Sequence, residues 1–171
     1  MKQRLAFLGL FVAIMTLTAC KSENEVPPAP AAVADHYPAA DAEQLWTYIT
    51  ETSPYTTWEF WPGKTDLYPG KSPHGAYLKL YANPVAIKAA REGRPMPEQA
   101  LLVKENYDQD QTTLLAITPM YRVKDYNPAA GDWFWANYEK DGQLVAAGRL
   151  QDCINCHRAV EGQDWLFNTA E

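Results

Sequence analysis

A Cys-x-x-Cys-His segment near the C-terminus, Cys153-Ile154-Asn155-Cys156-His157, constrains this chain more than any other feature of its sequence. Two thiols separated by two residues can form thioether bonds to the two vinyl groups of one porphyrin, and the adjacent histidine then lies beneath the iron.

Three other interpretations of this Cys-x-x-Cys-His segment compete with haem attachment. A redox-active thiol pair requires a thioredoxin-like pattern that the chain lacks. A structural zinc site requires four nitrogen or sulfur ligands, and only His36 and His74 remain to help. A short-loop disulfide leaves His157 unexplained. The segment therefore predicts one covalently attached haem c, held by Cys153 and Cys156 with His157 as an iron ligand.

The N-terminus has the pattern of an export signal. Lys2 and Arg4 precede an apolar run from Leu5 to Leu17 that is too short to span a bilayer. The run ends in Leu-Thr-Ala-Cys, which is similar to a bacterial lipoprotein signal. We therefore expect residues 1–19 to be removed, Cys20 to be lipidated, and the protein to be anchored in the periplasm. Lys21 and Ser22, rather than Asp, follow the cysteine, which favours the outer membrane.

A tether separates this anchor from the folded part. Residues 20–40 contain the lipidated cysteine and a Pro- and Ala-rich stretch that favours extended geometry. Residues 41–171 are the predicted haem-binding domain. The net charge of −6 becomes −8 without the leader, since 13 basic and 21 acidic residues remain. That acidity argues against nucleic acid as a partner.

The pattern of the domain indicates a helix, a strand, a second helix and then several strands. Asp41 is a helix cap ahead of Leu45, Trp46 and Ile49, which share a face. The predicted strands are residues 76–81, 100–107, 112–122 with an interruption near Pro119, 133–138 and 143–149, the last two as a hairpin. A helix is predicted from Pro84 to about Ala90, and residues 58–70 are predicted to be a loop. The fold class is α+β, a mainly antiparallel sheet with a few packed helices.

The sixth position of the iron separates electron transfer from small-molecule binding. The candidates for it are Met96, Met120, His36, His74 and the lysines of the mature chain. Met120 is favoured as a core residue and His36 as a solvated tether residue. His74 lies just before a strand, where it either reaches the haem face or is bonded to backbone. The aromatic strand from Trp133 either covers the haem or belongs to the core.

Several segments together resemble the cytochrome P-460 family, which includes the cytochromes c′-beta. They are Gly70-Lys71-Ser72-Pro73-His74-Gly75, Tyr81-Ala82-Asn83-Pro84, Leu102-Val103-Lys104-Glu105, Gly131-Asp132-Trp133-Phe134-Trp135 and the C-terminal Cys-x-x-Cys-His segment. The resemblance implies a mainly antiparallel fold, often dimeric, with five-coordinate haem bound by His157. It also implies that Lys104 matches a lysine that bonds to the porphyrin edge in hydroxylamine-oxidising members. Those members use a carboxylate shortly before the haem segment as a proton relay, whereas here only Asp152 adjoins it.

Lys104 is open to two interpretations from the residues alone. In a strand it shares a face with Leu102, while Leu101, Val103 and Glu105 point the other way. An inward lysine costs desolvation unless it is neutralised or reacted. The alternative is an edge-strand lysine whose amine reaches water.

Three functions follow from these expectations. The first is redox chemistry on hydroxylamine or a related nitrogen species at an open iron. The second is capture of nitric oxide or carbon monoxide by the same open iron. The third is electron transfer by six-coordinate iron. The sequence leaves open whether the protein is an enzyme, which redox protein it meets and whether it forms a homodimer.

Overall fold

A single antiparallel sheet dominates the computed structural model, which describes residues 37–167. Within those residues the sheet has seven strands: β1 (Glu59–Phe60), β2 (Tyr68–Pro69), β3 (Tyr77–Ala82), β4 (Leu101–Tyr107), β5 (Leu114–Arg122), β6 (Trp133–Glu139) and β7 (Leu144–Gly148). The strand order is β1-β3-β4-β5-β6-β7, and β2 also pairs with β3. Strands β3 to β7 therefore pair mostly with their neighbours in the chain, and the predicted α+β class is confirmed.

Short helices flank the sheet. The α-helices are α1 (Ala42–Thr47), α2 (Pro84–Arg91) and α3 (Gln151–His157), accompanied by a π-helical turn at Tyr48–Thr52 and 3₁₀ turns at Tyr55–Thr57, Pro128–Ala130 and Arg158–Gln163. The Asp41 carboxylate accepts a hydrogen bond from the Gln44 N–H, so it caps α1 as predicted. Asn83 caps α2 in the same way, ahead of Pro84 at the first helical position. None of the described helices is long and apolar enough to cross a membrane.

The sheet buries both of its faces, because side chains alternate along each strand. One face, here called the helix face, carries Leu101, Val103 and Glu105 of β4, and Leu45 and Ile49 pack against its apolar part with no exposed surface. The other face carries Leu102, Lys104 and Asn106 and is here called the cavity face. Its apolar part packs with side chains of α2 and α3, among them Ala86, Ile87 and Ile154. Neither face is free, so the helices determine which polar side chains remain reachable.

Most predicted elements agree with the structure to within one or two residues, and three differ. Strand β5 runs without a break through Pro119, so the predicted interruption is wrong. Pro119 pairs with Val103 of β4. On the other side, the ladder with β6 is interrupted at Thr118 and Pro119, between the pairs Ile117↔Tyr138 and Met120↔Trp135. A proline there removes one ladder hydrogen bond without ending the strand.

The other two differences concern residues 58–70 and the cysteine segment. The predicted loop contains β1 and β2, each only two residues long. The cysteine segment forms α3, which the sequence pattern did not indicate. Residues 1–36, with the predicted signal, Cys20 and His36, lie outside the described residues.

Candidate haem site

A cavity of about 400 Å³ opens between the cavity face and α3. Cys153, Cys156 and His157 all line it, because residues spaced three and four apart share one face of helix α3. Both cysteines are free thiols, and Cys153 is half-buried while Cys156 is exposed. Burial, with a smaller contribution from Asp152, raises the pKa of the Cys153 thiol. Two free thiols on one wall suit the attachment of a flat group that fills the cavity.

His157 is held with one ring nitrogen available. Its ring is 6% exposed and packs edge-on against Trp135, with ring centres 4.6 Å apart, and against Phe167 at 5.1 Å. Nδ1 lies 2.6 Å from the carbonyl oxygen of Trp165, and a carbonyl only accepts, so Nδ1–H donates. Burial lowers the pKa of His157 to about 4, which keeps the ring neutral. Nε2 therefore carries a lone pair, the state that a metal ligand requires.

Lys104 lies on the cavity wall at the centre of the sheet. It pairs with Leu80 of β3 and Thr118 of β5, so β4 is not an edge strand and the edge-strand interpretation is wrong. No hydrogen bond or ion pair within residues 37–167 holds its ammonium group. Burial lowers the pKa of Lys104 to about 8, opposed weakly by Cys156. At pH 7 about a tenth of an amine with this pKa is neutral and nucleophilic.

The residues beside Lys104 across the sheet form a row. Leu80 pairs with Lys104 and Lys104 with Thr118. The register between Ile117↔Tyr138 and Met120↔Trp135 places Thr118 opposite Asn137. We call Leu80, Lys104, Thr118 and Asn137 the lysine row, and all four line the cavity.

His74 also lines the cavity, held by Asn106 of β4. Its Nδ1 lies 3.0 Å from Asn106 Oδ1, which also accepts from the Gly75 N–H at 3.3 Å. Burial and the Lys104 ammonium lower the pKa of His74 to about 4, and the Asn106 bond opposes them. A Cβ at Gly75 would lie 2.5 Å from the Tyr107 carbonyl oxygen, so only glycine lets this segment approach β4. The structure thus places His74 on the cavity wall, with its ring bonded to a side chain rather than to backbone.

The remaining sequence candidates divide between cavity and core. Met120 lines the cavity and is also part of the core, whereas Met96 is buried away from the cavity. Trp135 contacts His157 from the aromatic strand, but Phe134 and Tyr138 pack on the helix face. The strand therefore supplies both the wall and the core, because its residues alternate.

Two orphaned polar atoms support the fit of a bound group. Trp135 Nε1 and Asn137 Oδ1 are buried on the cavity wall and have no hydrogen-bond partner within the described residues. Buried polar groups in proteins are nearly always paired, so these two atoms suit a ligand with polar edges. Together with two free thiols and a lone pair on His157, they fit a haem.

Among the lining residues that sequence reasoning did not assign to the site are Trp61, Asn106, Asn137 and Phe167. Asn106 could have been found, because it follows Leu102 and Lys104 with the same alternation. The positions of Trp61, Asn137 and Phe167 depend on the tertiary packing of strands and of the C-terminal segment, for which the sequence carries no local signal.

The family model described as cytochrome P-460 matches residues 52–168, more than half of the chain, and confirms the resemblance indicated by the sequence segments. No curated protein matches the chain. Within residues 37–167 no group of three or more His, Cys, Asp and Glu side chains is arranged to hold a metal ion.

Proposed function

We propose, from the premise that the chain belongs to the cytochrome P-460 family and is a haem cytochrome, that it carries one haem c. Cys153 and Cys156 would hold the group through thioether bonds, and His157 Nε2 would bind its iron. The supporting observation is that α3 presents both free thiols and the neutral His157 ring to one cavity. The hydrogen bond from Nδ1 to Trp165 fixes the ring orientation and increases the basicity of Nε2.

The proposed chemistry is oxidation of hydroxylamine or a related small nitrogen species, which a haem in the cavity lined by His157 and Lys104 would support. Haem supplies a redox-active iron there. In the simplest balance, NH₂OH yields HNO, two protons and two electrons, and the electrons leave singly to an external redox protein. The single observation that carries this proposal is the Lys104 amine, which lies unpaired in the same cavity as the attachment cysteines.

Two side chains of the lysine row would act on such a substrate. As long as it is not bonded to the porphyrin, the neutral fraction of the Lys104 amine would accept a proton that the substrate loses, since its pKa of about 8 lies close to neutral pH. Asn137 Oδ1 is an unpaired acceptor in the same row and orients an N–H or O–H of the substrate. The apolar neighbours Leu80, Leu102 and Met120 exclude water and strengthen both contacts.

The proposal includes a bond between Lys104 Nζ and the porphyrin edge. Forming it removes one hydrogen from the amine and one from a porphyrin carbon, so a two-electron oxidant is needed. With hydrogen peroxide as oxidant, these two hydrogens convert one peroxide into two waters. A lowered pKa favours the neutral amine that forms such a bond.

A visible spectrum combined with peptide mapping tests these proposals. We expect a ferrous Soret band shifted far to the red, and haem that stays on the Lys104 peptide after the thioethers are cleaved. Lys104→Ala should abolish the shift and leave haem attached. The control is Lys79→Ala, which removes a lysine on the helix face that pairs with Asp66 at 2.8 Å. An unshifted spectrum in the parent protein would contradict the lysine bond, and haem lost with Lys104 would contradict its assigned role.

Capture of nitric oxide or carbon monoxide is the second candidate. The mostly apolar walls of the cavity favour it, because neutral diatomic molecules partition into apolar surroundings. Tight gas binding without hydroxylamine turnover in a protein that lacks the lysine bond would favour this candidate over the first.

We also propose that the protein is exported to the periplasm, is anchored in the outer membrane by lipid on Cys20, and associates as a homodimer. Recovery of the protein in the outer membrane fraction tests its location. Labelled palmitate should enter the parent protein and not Cys20→Ala, which should be released from membranes. Sedimentation of the released protein measures the oligomeric state. Equal labelling of both proteins would contradict the anchor.

A further inference from the structure

Two consecutive residues after α3 hold their backbone in the left-handed region. Asp164 has a φ of 59° and Trp165 a φ of 64°. Aspartate is enriched in this region, whereas a residue as bulky as tryptophan adopts it only as an outlier. Such a conformation persists where the surrounding contacts enforce it, and it clusters at functional sites. Here it accompanies a contact to the candidate iron ligand, because the Trp165 carbonyl oxygen lies 2.6 Å from His157 Nδ1 and accepts its hydrogen bond.

Asp164 is anchored to three other parts of the fold. Its Oδ1 accepts from the Arg122 guanidinium at 2.8 Å, and its Oδ2 accepts from the Met96 N–H at 2.5 Å. Its main-chain oxygen accepts from Nε1 of the fully buried Trp133 at 3.0 Å. Every acceptor atom of Asp164 is thus occupied, and its position is set by the segment before β4, by β5 and by β6.

The Trp165 side chain is fixed on the other side of the carbonyl group. It is 4% exposed and belongs to the apolar core of the cavity face. A Cβ at Gly131, whose φ is 67°, would lie 2.6 Å from Trp165 Cδ1, so a glycine is needed beside the indole. The carbonyl oxygen is therefore held between two anchored groups, the Asp164 carboxylate and the Trp165 indole. Of these, the carboxylate can be altered without opening a void in the core.

Asp164, Arg122 and Met96 do not line the cavity, so Asp164 can influence the site only through the backbone. We propose that Asp164 is a positioning residue for the iron ligand, because it holds the Trp165 carbonyl oxygen against His157 Nδ1 and thereby sets the reduction potential of the haem. This inference rests on the proposed haem with His157 as its ligand. A bond from Nδ1–H to a carbonyl group makes Nε2 more basic. A more basic ligand favours ferric over ferrous iron and lowers the reduction potential.

Asp164→Asn removes the carboxylate and keeps the backbone. Asparagine also adopts the left-handed region, but its amide has one acceptor oxygen and cannot keep the bonds to both Arg122 and Met96. In the ferrous holoprotein we expect the iron–histidine stretching frequency, measured by resonance Raman spectroscopy, to fall. The reduction potential, measured by redox titration, should rise. A preference for ferric iron that is weaker by about ten-fold corresponds to a rise of about 59 mV for one electron.

Arg122→Met separates positioning from the effect of charge. It breaks the same ion pair but removes a positive charge, whereas Asp164→Asn removes a negative one. The field of the lost charge alone would raise the potential in Asp164→Asn and lower it in Arg122→Met. A positioning role instead predicts that the iron–histidine frequency falls in both variants. Arg122→Lys keeps a cation beside Asp164 and should retain most of the parent frequency.

The matched control is Arg91→Met, which breaks the exposed ion pair with Glu59 at 2.6 Å and should leave frequency and potential unchanged. A parent frequency in both Asp164→Asn and Arg122→Met, or shifts of opposite sign, would overturn the proposal. Either variant gives a result by itself, so one that fails to fold does not block the test. Absence of an iron–histidine band from the parent protein would instead contradict His157 as the ligand, so the two failures are distinguishable.

Discussion

An alanine at Gly75 tests whether the close approach of this segment to β4 holds His74 in place. Its Cβ would lie 2.5 Å from the Tyr107 carbonyl oxygen, 2.6 Å from the Tyr107 nitrogen and 2.9 Å from the Asn106 carbonyl carbon. All three are backbone atoms of a central strand, so the segment that carries His74 must move instead. Carbon contacts are most favourable at about 3.5–4.0 Å, which requires a displacement of about 1 Å.

That displacement has a cost that can be divided into two parts. Overpacking costs about 1–3 kcal/mol. The bonds of Asn106 Oδ1 to His74 Nδ1 and the Gly75 N–H, now 3.0 and 3.3 Å long, would lengthen beyond hydrogen-bonding range. One lost bond costs about 1 kcal/mol. We therefore expect Gly75→Ala to lower the free energy of unfolding by about 2–4 kcal/mol.

Urea unfolding of the holoprotein, followed by circular dichroism and by the Soret band, measures this change. The matched control is Gly162→Ala, because nothing lies within 4 Å of a Cβ at Gly162. The control should differ from the parent by less than about 0.5 kcal/mol. Equal unfolding free energies for the two variants would refute the argument from close approach.

Three further predictions concern parts of the fold outside the cavity. Tyr55→Phe should lower the free energy of unfolding by about 1.5–3 kcal/mol, because the buried Glu105 carboxylate loses a hydroxyl donor at 2.8 Å. A denaturant titration of both proteins measures the difference. Burial raises the pKa of Tyr81 to about 12. The neutral side chain therefore contributes to the free energy of unfolding below pH 10, and this contribution is lost between pH 10 and 12. Unfolding midpoints measured across that range would show the loss. Asp164→Asn should lower the melting temperature by removing the ion pair with Arg122 at 2.8 Å, whereas an unchanged midpoint would mean that the pair contributes nothing.

The strands were predictable from sequence because each is a local pattern. Alternating side chains identified β3, and the Asp141-Gly142 turn identified the hairpin of β6 and β7, which pairs Tyr138 with Leu144. The same reasoning placed Leu102 and Lys104 on one face.

The assembly of the site was not predictable in the same way. Whether Lys104 faces solvent or a cavity depends on whether β4 is an edge strand, and that depends on pairing with β3 and β5. His74 meets Asn106 only because Leu78 pairs with Asn106, which brings residues 32 positions apart into contact. Register is a tertiary property, so sequence reasoning could name His74 but not choose between its two interpretations.

Strand alternation also explains why the Lys104 amine stays unpaired. Glu105 is its neighbour in the chain, yet the Glu105 carboxylate is buried on the helix face, where the hydroxyls of Tyr55 and Tyr107 each donate to it at 2.8 Å. The charge that could neutralise Lys104 is thus turned to the opposite side of the sheet and satisfied there. Lys104 remains in an apolar cavity without a counter-ion, and burial lowers its pKa. Because the tyrosines hold Glu105 away, the helix face preserves a reactive amine on the cavity face.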